Sequence, residues 1–127
     1  MPDAPSPAAP PAPFTHVAAD FLGVPAAQLR DAALIGGLLV AAAGAVGLAA
    51  RAAPSVRALR RDGVAALHLL EGCHIAVQTF PREELLLLDL LVRGPADAGA
   101  RGTQRAVDVF ARRLAARAVH TQQRPRG

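Results

Sequence analysis

Three observations on the sequence predict an α+β fold. Short apolar runs of strand length recur after Ser55, with Gly- or Pro-containing breaks between them. Two other segments, opening near Ala26 and Thr103, have helical character instead. The resulting order, β-α-β-β-β-β-α-β, reads as antiparallel hairpins covered by two helices. At 127 residues the chain fits one domain with a single modest core.

Residues 1–13, MPDAPSPAAPPAP, contain six prolines and no large apolar side chain, so a disordered or extended tail is expected ahead of a domain spanning 14–122. His16 to Phe21 reads as a first strand, ended by Gly23 and Pro25. From Ala26 to about Ala50 the pattern is helical. Residues 32–50 carry no charge, which is the length of a membrane span. Their many Ala and Gly residues favour a helix packed on a sheet instead. Ser55 to Leu59 and Val64 to Leu70 read as strands around an Arg60-Arg61-Asp62-Gly63 turn, and His74 to Phe80 as a third, stopped by Pro81. Leu85 to Val92 is almost continuously apolar and so predicts a central strand. Val107, Phe110 and Leu114 recur at helical spacing within Thr103 to Arg117. Val119 to Gln122 gives a last short strand before a polar tail, 123–127.

Composition excludes several chemistries. All 14 basic residues are Arg, so neither a lysine Schiff base nor lysine-held pyridoxal phosphate is available. The net charge of +4 comes without Trp, Tyr or a nucleic-acid reading motif, and nucleic acid is not an expected partner. A single Cys excludes an internal disulfide and a Cys-based zinc cage, and fits a cytoplasmic protein. Residues 1–13 lack the basic start and apolar stretch expected of a secretory signal. His68 and Glu71 lie near Cys73 in sequence, but no third group orients a Cys-His pair. No metal-ligand spacing or phosphate-binding loop occurs.

One segment carries more information. Gly63-Val64-Ala65-Ala66-Leu67-His68, then Gly72-Cys73-His74, then Val77-Gln78-Thr79-Phe80-Pro81-Arg82 resembles the self-cleavage region of the small bacterial S-adenosylmethionine decarboxylases. Members of that family read Gly-Val-Ser-Gly-Val-Val, Glu-Ser-His and Ile-His-Thr-Trp-Pro-Glu at these places. Asp89, followed by Leu90-Leu91-Val92-Arg93-Gly94, is similar to the family's Asp-hydrophobic-Phe-Thr-Cys-Gly. The likeness runs from about His16 to Gln122.

The resemblance implies a two-layer sandwich, an antiparallel sheet with two helices on one face, and a homodimer. It implies self-cleavage at Gly72-Cys73, with Cys73 as candidate precursor of a pyruvoyl group, and a small amino-acid-type substrate decarboxylated in polyamine (spermidine) synthesis. Several family positions are substituted. Gly72 replaces a Glu, Cys73 the Ser that becomes pyruvoyl, and Ala65 a processing Ser. Gln78 replaces a processing His, Arg93 a proton-donating Cys, and Arg82 a Glu. An alternative follows from these changes: a catalytically inactive member acting as a binding or regulatory partner.

Overall fold

The computed structural model describes residues 12–50, 52–94 and 96–127, with backbone alone for residues 96–100. Most of the expected Pro-rich tail therefore lies outside the described residues. The remaining chain forms β1 (Phe14–Leu22), α1 (Ala26–Leu29), α2 (Ala32–Val46), β2 (Ser55–Ala58), β3 (Val64–Leu70), β4 (Cys73–Phe80), β5 (Leu85–Arg93), α3 (Ala96–Arg113) and β6 (Ala118–Arg126), with a 3₁₀ turn at Pro81–Glu83.

All six strands join one antiparallel sheet in the order β2-β3-β4-β5-β1-β6. The leucine run of β5 is central, flanked by β4 and β1, as its continuous apolarity implies. The helices α2 and α3 pack on each other and on the sheet. Side chains alternate across the strands. Val17, Ala19 and Phe21 of β1, Ile75 and Val77 of β4, and Leu86, Leu88 and Leu90 of β5 are buried toward the helices. Phe110 of α3 meets Phe21 there, with ring centroids 6.1 Å apart. Among the described residues the other face carries no helix. It presents Leu67 and Leu69, 40% and 64% exposed, beside Ala65, Ala76, Leu87 and Leu91.

Several boundaries differ from expectation. The helix expected from Ala26 to Ala50 is two helices, because the Asp31 carboxylate accepts the Leu34 N–H at 3.0 Å and starts α2 anew. Gly47, with φ 82°, ends it early. Ile35, Leu38, Leu39, Ala42 and Ala43 form its buried side, and no helix among the described residues is long and apolar enough to cross a membrane. The last helix begins at Ala96 rather than Thr103, since the glycines that blur its periodicity are accommodated in its first turns. The last strand runs to Arg126 instead of yielding to a polar tail, held by backbone pairing from Leu22↔Ala118 to Phe14↔Arg126. As an edge strand with almost every side chain exposed, it needs no apolar alternation.

Candidate functional site

Cys73 opens β4 at the tip of the β3–β4 hairpin. Leu70 and Cys73 are cross-strand partners, leaving Glu71 and Gly72 as the turn. Gly72 takes φ 69°, a left-handed value that a side-chain-bearing residue such as glutamate adopts only with strain. The Cys73 thiol points to the helix side of the sheet and is buried. Burial alone pushes its pKa up to about 11, so the thiolate is suppressed at neutral pH. Its hydrogen-bond partner is the His74 carbonyl oxygen, at 3.8 Å.

Ala65 and Gln78 are direct cross-strand partners. They lie on the open face, opposite to the thiol. Gln78 is five residues along the strand from Cys73, or about 17 Å at the usual rise. Arg93 ends β5 near the same hairpin tip as Cys73. A Cβ placed on Gly72 would stand 3.5 Å from Arg93 Nε, and the guanidinium lies 4.8 Å from the Phe14 ring centroid. A cation thus stands beside the Gly72-Cys73 bond. His74 faces the open side, away from the thiol.

Two residues acquire a meaning that sequence spacing did not give them. His68 shares the helix-facing side of the hairpin with Cys73, since its register partner is Ile75. It is 2% exposed and its Nδ1 has no hydrogen-bond partner. No imidazole contributes to the thiol's shift, so His68 does not activate Cys73. His16 Nε2 lies 2.8 Å from an Asp89 carboxylate oxygen, tying β1 to β5 on the open face. The alternation of β1 and β5 placed each on a face; only their register brings them together. Among the described residues no group of three or more His, Cys, Asp or Glu is placed to hold a metal.

Two hollows lie on this side of the sheet. One, about 570 Å³, sits over Ala65 and Ala76 between Arg57 and Asp89. The other, about 850 Å³, lies between the β2–β3 turn and the segment Gln78–Glu83.

The family model for S-adenosylmethionine decarboxylase matches residues 15–127, which is almost the whole chain. The chain belongs to the S-adenosylmethionine decarboxylase family. The fold agrees with this membership. The crystal structure of the adenosylmethionine decarboxylase from Aquifex aeolicus VF5 superposes with a TM-score of 0.76 at 22% identity, covering 93% of each chain. No curated protein matches the chain. Within that family the segment around Cys73 departs from the pattern: burial raises the pKa of the thiol that stands in place of the serine, and Ala65 and Gln78 lack the hydroxyl and imidazole of the processing positions they replace.

Proposed function

We propose that this S-adenosylmethionine decarboxylase-family protein acts on S-adenosylmethionine, or a related amino acid, in polyamine (spermidine) biosynthesis. The family match over residues 15–127 carries this reading. A pyruvoyl group derived from Cys73 is the electron-accepting cofactor the reading requires, because the chain has no lysine. Losing a general acid or base commonly costs about a hundredfold to ten-thousandfold in rate. With Ala65 and Gln78 in place of two processing groups, freshly purified protein should be mostly intact at Gly72-Cys73.

The test pairs intact-mass spectrometry over time with release of labelled carbon dioxide from carboxyl-labelled S-adenosylmethionine. The decarboxylase reading expects slow accumulation of fragment 73–127 with a blocked N-terminus, and carbon dioxide release that rises with it. A chain that never cuts and never releases carbon dioxide sinks that reading.

A second reading rests on one observation, the burial of the Cys73 thiol. In it the uncut chain binds the substrate or a family partner without turning it over. Binding of S-adenosylmethionine by permanently intact protein supports it. We also place the protein in the cytoplasm as a homodimer, with the uncovered sheet face bearing Leu67 and Leu69 as the surface a second copy covers.

A further inference from the structure

The larger hollow has an unusual balance of charge. It is lined by three arginines, Arg60 and Arg61 from the β2–β3 turn and Arg82 from the 3₁₀ turn, and by two acidic residues, Asp62 and Glu83. Asp62 is already committed. Its two oxygens accept from Arg30 Nε at 2.9 Å and Arg30 Nη2 at 3.0 Å, and one also accepts the Gly63 N–H at 3.0 Å. The Arg30 hydrogen bonds hold its carboxyl below the usual range. Arg30 thus pairs with Asp62 from outside the hollow, with Arg82 adding a weaker electrostatic pull, so three arginines face one paired carboxylate and Glu83. None of those three arginines forms an ion pair among the described residues.

The walls are also fixed in place. Gly63 closes the β2–β3 turn at φ 89°, and a Cβ there would meet the Thr79 carbonyl oxygen at 2.5 Å and Pro81 Cδ at 3.1 Å. The turn bearing Arg60 and Arg61 is therefore seated directly on the segment bearing Arg82. Leu59 N–H donates to Gly63 O at 2.8 Å. The buried Thr79 hydroxyl accepts the Val64 N–H at 2.8 Å and donates to Leu29 O at 2.7 Å, locking β3, β4 and α1 together under the hollow. Arginines lining one cleft from two clamped segments suit a ligand with several oxyanion oxygens, each pair of which an Arg can take in a bidentate grip.

We propose that this cleft is a binding site for a small multivalent phosphate, held by Arg60, Arg61 and Arg82. The cleft shares Gln78 with the substituted processing positions, but none of its lining residues borders the Gly72-Cys73 bond. Its ligand differs in kind from a cationic sulfonium amino acid, which three arginines would repel.

The test is titration calorimetry of the full chain with inorganic pyrophosphate. Binding is expected, and it should weaken as salt is raised. Arg82→Gln and Arg60→Gln should each lower affinity about tenfold or more, the usual scale of a lost charge-assisted contact. Arg112→Gln, on the exposed side of α3, should leave it within about twofold. Absence of binding, cleft variants that bind like the parent, or equal weakening by Arg112→Gln would each overturn the proposal. Tighter binding of citrate than of pyrophosphate would overturn the phosphate assignment.

Discussion

The Thr79 hydroxyl donates to the Leu29 carbonyl at 2.7 Å, fifty residues away in the chain, while it accepts the Val64 N–H. This one buried side chain thereby serves two backbone groups on elements that do not pair with each other. Thr79→Val keeps the shape and removes both bonds. Unsatisfied buried groups cost about 1–3 kcal/mol. A loss of unfolding free energy of that size, read as a lower urea midpoint, is expected, and an unchanged midpoint would show that the two backbone groups find other partners.

His68 invites the opposite change. Its imidazole is buried against the helices with Nδ1 unpartnered, at a position where the resembling family has Val. His68→Leu should stabilise the fold by roughly 1 kcal/mol, since an unpaired buried polar atom is replaced by an apolar side chain of similar size. The same urea series measures it. A destabilised variant would mean that the imidazole is satisfied in solution.

Cys73 gives a prediction with a pH window. Its pKa is pushed up to about 11 by burial, above the free-thiol value of about 8.5. Between those values the unfolded chain releases the proton and the folded chain keeps it. The unfolded state binds fewer protons there, so stability falls as pH rises. Below the free-thiol value this group adds no pH dependence. Unfolding free energy measured across that interval should drop less in Cys73→Ala than in the parent. Alkylation of native Cys73 by iodoacetamide should be slow at neutral pH and accelerate toward the raised pKa. Rapid labelling at pH 7 would show the thiol to be exposed and activated.

Assembly can be tested on the uncovered face. Leu69→Asp changes the most exposed of the large hydrophobic side chains on the sheet, at 64%, and should not disturb the helix-side core. Sedimentation at micromolar concentration is expected to report a dimer for the parent and a shift toward monomer for the variant. Equal sedimentation of both would place the contact elsewhere.

Much of the architecture was legible because it follows from apolar patterning. β3, β4 and β5 were located to within a residue or two by alternation and by the Gly63, Pro81 and Gly94 breaks. β6 was read short because an exposed edge strand such as Thr121–Arg126 has no buried face to impose a pattern. The split between α1 and α2 was missed because Arg30-Asp31 looks like an ordinary polar pair until Asp31 is seen capping Leu34. The site was legible only in part. Cys73, Ala65, Gln78 and Arg93 could be singled out from the segment, but the direct pairing of Ala65 with Gln78 appears only in the strand register. Which face each takes, and the separation of Cys73 from that pair, depends on hairpin register, and a one-residue slip would invert it. The convergence of Arg60, Arg61 and Arg82 likewise needed the turn and the 3₁₀ segment to be brought side by side.

The position of β1 has a consequence for how the molecule comes into being. This strand is synthesised first, yet its two neighbours in the sheet, β5 and β6, are the last two strands made. As the chain leaves the ribosome, β2 to β5 can pair one after another through local hairpins, whereas β1 waits with both of its edges unmatched. Its long-range pairings carry a large loop-closure cost, which sets a slow final stage. During that wait, Val17, Ala19 and Phe21 are exposed, and this interval is when the nascent chain is most prone to aggregation and most in need of a chaperone.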